Sequence, residues 1–228
     1  MPAKKKKTFS TDEILLILCH SVTKVLRGAT SNSVKYSPVV QKITKTSLKP
    51  DIGCFVLFDG VFSGIVIMNF SAGSAMELYS GYMRQMGMPE EELATLHTSD
   101  EVGNMLGELM NQIVGEFTAA IEHELFVSVN QSQPKMIAIN REVALSINAN
   151  LDQPQARKVA FQTETHNSFF IEMAMDKTTF IQIEDIERGA RANADDIIAE
   201  EQNRQHSQSD SSTSSADDAS DLLDSLGI

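Results

Sequence analysis

Between Asp100 and Leu125 the apolar residues Val102, Met105, Leu106, Leu109, Met110, Ile113, Val114, Phe117 and Ile121 recur at helical spacing. A helix of that length runs about 39 Å, longer than most single-domain helices need. Its apolar stripe must be buried against other elements, and the rest of the sequence shows which ones the chain offers.

Ser10-Thr11-Asp12-Glu13 has the pattern of a capping box and opens a second apolar stripe, Ile14, Leu15, Ile17, Leu18, Val22, Val25 and Leu26, which Gly28 is expected to end. The stretch Ala29 to Pro50 reads as a loop with an irregular strand. Gly53 to Phe58 and Val61 to Phe70 are β-rich runs on either side of Asp59-Gly60, a step typical of hairpins. Ser71 and Ser74 start a helix through Met86 that Gly87 and Pro89 close. Glu90, Glu91 and Glu92 suit the first turn of another helical stretch leading towards Asp100. Short β-like runs follow at Phe126–Val129, Met136–Ile139, Val143–Ile147, Val159–Thr163 and Phe169–Met175. The predicted class is α+β, an antiparallel sheet with helices packed on it and an acidic, disordered C-terminal tail.

The tail emerges when the net charge of −12 is divided along the chain. Residues 184–228 hold 12 acids and 3 bases, leaving 19 acids against 16 bases in the first 183. A nearly neutral body without a basic stripe argues against nucleic-acid binding. The longest apolar runs fall well short of a membrane span, and the lysine-rich start lacks the apolar core of a signal peptide, so the expected compartment is the cytoplasm. Cys19 and Cys54 sit among apolar residues and read as buried and reduced. The five histidines show no ligand spacing with the cysteines, so no metal site is expected.

On the long helix, Glu101 and Asn104 stand three residues apart on one face, opposite the apolar stripe. Taken alone, such a pair can be plain solvation. Glu108 and Asn111 repeat the spacing about 10.5 Å further along the axis and read as helix-face solvation or a partner contact. Gly103 and Gly107 each cost a helix interior about 1 kcal/mol relative to alanine, which points to something close to the backbone.

Glu101-Val-Gly-Asn104-Met with Gly107 resembles the Glu-x-x-Asn signature helix of the CheC/CheX family of chemotaxis phosphatases. The order of elements over roughly residues 10–180 resembles the single-repeat CheX type. The resemblance implies a CheX-like fold and a homodimer. It also implies an aspartyl-phosphate phosphatase acting on phosphorylated CheY-like receiver domains. Asn104 would orient the attacking water and Glu101 would pair with the receiver's lysine. The chain would need no cofactor of its own, because the Mg²⁺ belongs to the partner.

Asp221-Leu222-Leu223-Asp224-Ser225-Leu226-Gly227-Ile228 resembles the C-terminal peptide by which CheZ binds CheY, with Ile228 in place of an aromatic residue. Ala219, Leu222, Leu223 and Leu226 have the anchor spacing of a helix laid in a groove. Leu222, Leu223, Asp224, Leu226 and Ile228 are the expected partner contacts, and docking of this peptide on its own domain is the alternative. The predicted layout is a disordered basic N-terminus over 1–9, a CheX-like domain over 10–182 and a charged helical or frayed segment over 183–205. A disordered linker over 206–218 and a docking peptide over 219–228 complete it. A flexible spacer of about 30 residues spans on the order of 30 Å. A non-catalytic receiver-binding protein, or a component of a flagellar switch, is the competing function.

Overall fold

The computed structural model describes residues 8–139, 143–147 and 149–181. The expectations for 1–7 and for 183–228, including the contacts assigned to Leu222, Leu223, Asp224, Leu226 and Ile228, lie outside the described residues. The order of elements is β1 (Thr8–Phe9), α1 (Thr11–Thr30), β2 (Lys35–Ile43), β3 (Thr46–Leu48), β4 (Ile52–Gly60), β5 (Gly64–Phe70), α2 (Ala72–Gln85) and α3 (Asp100–Leu125). The strands β6 (Val129–Gln131), β7 (Lys135–Ala138), β8 (Leu145–Ile147), β9 (Gln155–Gln162), β10 (Ser168–Met175) and β11 (Phe180–Ile181) follow.

Seven strands form one antiparallel sheet in the order β2-β9-β10-β5-β4-β6, with β7 pairing β4 alongside β6. Alternation gives this sheet two apolar faces. Val56, Met68, Phe169, Ile171 and Phe161 belong to the large core shared with the three helices. Phe169 stacks between Phe70 and Phe161, at 5.3 and 5.0 Å. Every apolar position named above on the long helix is buried in that core, and Phe117 meets Phe58 edge-on at 5.7 Å.

The opposite face holds a smaller core of Leu48, Ile65, Ile67, Ile139, Ala156 and Ala174. Here β3 and β8 form a separate two-stranded sheet. Two buried polar side chains tie β3 down. Asn69 Oδ1 accepts from the Lys49 backbone N–H at 2.6 Å while its Nδ2 donates to the Ser47 carbonyl. Glu172 Oε2 accepts from the Ser47 N–H at 2.8 Å, and its other oxygen faces Lys49 and Lys158 at 3.8 and 3.9 Å. A buried carboxylate is tolerable only with partners of this kind.

Several expectations are corrected in detail. Helix α1 passes through Gly28 and ends at Ser31, which takes a left-handed conformation at φ 57°. Asp59 and Gly60 are not the hairpin turn: they extend β4 and pair with β6, and the chain turns at Val61–Ser63. A Cβ on Gly60 would run into the Ser128 carbonyl, so glycine serves close strand approach there. The three glutamates form only one 3₁₀ turn, Glu90–Glu92, before an irregular connection. Phe126 closes α3 at φ 55° instead of starting a strand. Thr8 and Phe9, read as part of an unstructured N-terminus, pair with Ile181 and Phe180. The capping box at Ser10 and Glu13 and the two buried free cysteines agree with the sequence reading. Among the described residues, no helix is long and apolar enough to cross a membrane.

Candidate functional site

The chain reaches α3 through a connection that is pinned at several points. Arg84 pairs with Glu90 at 2.6 Å, and the Tyr79 hydroxyl accepts from the Ala94 N–H at 3.1 Å. A turn from Leu96 to Ser99 then places Ser99 as N-cap, its hydroxyl 3.5 Å from the Val102 N–H. Asp100 and Glu101 occupy the first turn, where carboxylates complement the helix dipole. Leu96, 64% exposed, lies three residues ahead of that cap. The sequence reading did not single it out, because a lone leucine between polar residues carries no periodic signal.

Glu101 and Asn104 are both exposed, and Val102, Met105 and Leu106 beside them are buried. The two side chains are about 4.5 Å apart along the axis, less than one turn. Neither is engaged in a hydrogen bond or ion pair with another described residue. The second Glu-x-x-Asn pair is different. Glu108 accepts from Gln112 at 2.9 Å, and Asn111 accepts from Gln131 at 3.1 Å. One pair is held by the fold and the other is presented to solvent.

The glycines between them have no equal cause. A Cβ on Gly107 would touch Met136 Cγ at 3.5 Å, an ordinary contact, and one on Gly103 would meet nothing within 4 Å. Cavities of about 910, 660 and 440 Å³ are lined by other residues, the second by Phe55, Leu57, Gln131, Ile147 and Leu151. Neither Glu101 nor Asn104 lines any of these three. Among the described residues no group of three His, Cys, Asp or Glu side chains is placed to hold a metal ion.

Comparison with solved structures places the fold. CheX from Desulfovibrio desulfuricans matches with a TM-score of 0.60 at 17% identity, covering 72% of this chain and 99% of that one. A CheC-like superfamily protein from Shewanella sp. PV-4 matches at 0.60 and 15%, covering 74% and 99%. A chain of the CheX–CheY–BeF₃–Mg²⁺ complex from Borrelia burgdorferi matches at 0.56 and 16%, covering 72% and 98%. The architecture is therefore CheX-like, as the order of elements led one to expect. No curated protein matches the chain in sequence. The family described as "Protein of unknown function (DUF3334)" matches residues 5–228, nearly the full length, and the chain belongs to that family.

Proposed function

We propose that this protein promotes the dephosphorylation of phosphorylated CheY-like receiver domains. The observation that carries the reading is the exposed, unengaged pair Glu101 and Asn104, one turn into a helix anchored in a CheX-like fold. A CheX-like structure captured with CheY, BeF₃ and Mg²⁺ supports the choice of partner.

The chemistry asks for positioning more than for covalent help. The Asn104 amide can accept from a water and donate to it, holding the oxygen in line with phosphorus. That oxygen forms the new P–O bond as the bond to the aspartyl oxygen breaks, giving inorganic phosphate and a free carboxylate. Glu101 pairs with a cationic side chain of the receiver and so fixes the register of the amide. The Mg²⁺ in this scheme stays on the receiver. The peptide 219–228, through Leu222, Leu223, Asp224, Leu226 and Ile228, tethers the same partner and raises its local concentration.

The test follows the decay of receivers charged with acetyl phosphate, with and without the protein. Faster decay that Asn104→Ala abolishes supports the reading, and an Asn104→Ala variant as active as its parent refutes the mechanism. Unchanged decay, together with receiver binding that depends on Leu222, Leu223 and Leu226, identifies a non-catalytic binder instead.

A further inference from the structure

We infer that Gly103 is a positioning residue at which the partner's chain comes into van der Waals contact with the α3 backbone. The inference rests on the receiver-directed reading of Glu101 and Asn104.

The argument begins with what the described glycines do for their own fold. At Gly53, Gly60, Gly64, Gly73 and Gly81 an added Cβ would press on a neighbouring side chain or backbone atom, so the chain's own packing calls for glycine. Gly87 has φ 82°, a conformation that other residues rarely adopt. Gly107 and Gly115 would make only ordinary contacts, at 3.5 Å to Met136 and 3.8 Å to Gln131. Gly28 and Gly103 alone among these have a helical backbone and nothing within 4 Å. Gly28 lies in the last turn of α1, where the helix is about to stop. Gly103 lies in the first turns of a 26-residue helix, where glycine is the poorest choice after proline.

No contact within the described fold accounts for glycine at Gly103. Its place does offer a reason, because it is adjacent to Asn104 and two residues from Glu101, the pair left unengaged. An amide that must reach a phosphoryl group inside another protein requires the helix backbone itself to approach that protein. A methyl group at 103 would hold the two surfaces apart by about the width of a CH₂ or CH₃, and overpacking of this size is poorly tolerated at tight contacts. The open space around 103 in the free protein is then the volume that the partner fills.

Gly103→Ala separates the fold from the contact. In the intact protein the substitution should raise the melting temperature by about 2–4 °C, because alanine favours the helix and finds room. It should also raise KM for an acetyl-phosphate-charged CheY-type receiver about tenfold, with a smaller change in kcat. Gly28→Ala, in the last turn of α1, is the control: it should give a smaller gain in melting temperature with KM unchanged. A Gly103→Ala protein with the parental KM overturns the inference while leaving the receiver reading intact. A parent protein that leaves the decay of charged receivers unchanged removes that reading and this inference together.

Discussion

Gln131 donates through its side-chain amide to Asn111 Oδ1 at 3.1 Å, joining β6 to the middle of α3. Gln131 Oε1 is itself buried with no partner among the described residues, so the pair has no spare hydrogen bond to lose. Asn111→Ala should therefore cost about 1–3 kcal/mol of stability, read as a lower urea midpoint. Receiver dephosphorylation per folded molecule should not change. Asn104→Ala should do the reverse, shifting stability by under about 0.5 kcal/mol as an exposed substitution and slowing catalysed decay about 100-fold. Two asparagines seven residues apart on one helix then give opposite results in the same pair of assays.

Glu172 offers a second prediction. It accepts from the Ser47 N–H and faces Lys49 and Lys158 across the buried side of the sheet. Burial first, and Lys49 second, hold the Lys158 ammonium below the ordinary lysine range, and Glu172 opposes both. Glu172→Ala leaves two lysines facing each other and an orphaned backbone donor, and should destabilise by about 3 kcal/mol. Glu172→Gln keeps an acceptor for Ser47 and should cost less. Chemical denaturation of the two variants side by side checks the order.

The Glu77 carboxylate links α2 to the β9–β10 turn, accepting from Thr163, Thr165 and Asn167. Partial burial works to raise its pKa, but these hydrogen bonds outweigh it, and the group lies below its ordinary value of 4.5. A depressed folded-state pKa means that the stabilisation is complete above the unfolded value and is lost as pH falls through the folded one. Urea midpoints measured from neutral pH downwards should therefore drop more steeply below about pH 4.5 in the parent than in Glu77→Gln. Parallel curves would remove Glu77 from the acid response.

Cys19 and Cys54 are both buried, and burial pushes each thiol up to about 12. A thiol held protonated and covered is a poor nucleophile. Neither should react with a disulfide reagent at pH 8 faster than the protein unfolds, and both should react promptly in denaturant. A fast native phase would contradict their placement.

Phe126 closes α3 in a left-handed conformation and is 63% exposed. Glycine adopts that conformation without the steric cost, and little buried area is lost with the ring. Phe126→Gly should stabilise by about 0.5–1 kcal/mol, read in thermal or urea unfolding.

What could be read from the sequence was what local rules decide. The helices beginning after Ser10 and Ser71 announce themselves through caps and apolar spacing, the long helix through its apolar spacing, and the fold class follows from the order of runs. Asp59-Gly60 misled because the same step serves a tight turn and a close strand crossing, and only the approach of Ser128 distinguishes them. The run holding β8 was legible, but its pairing with β3 was not, since β3 is only three residues long and is held by Asn69 and Glu172 from distant strands. Glu172 alternates with apolar residues as a solvent-facing position would, so its burial could not be foreseen. At the site, the spacing of Glu101 and Asn104 was legible. Their difference from Glu108 and Asn111 was not, because it depends on Gln112 and Gln131.

The ten buried residues of α3 do more than complete the core. They hold the stretch of helix backbone that carries Asn104, so Asn104 cannot be displaced without disturbing the buried Met105 and Leu106 beside it. The loss of backbone freedom that an encounter would otherwise demand has already occurred when the chain folds. Under the proposed reading a partner meets a backbone that is already ordered, and only the exposed side chains of Glu101 and Asn104 are left to settle on contact.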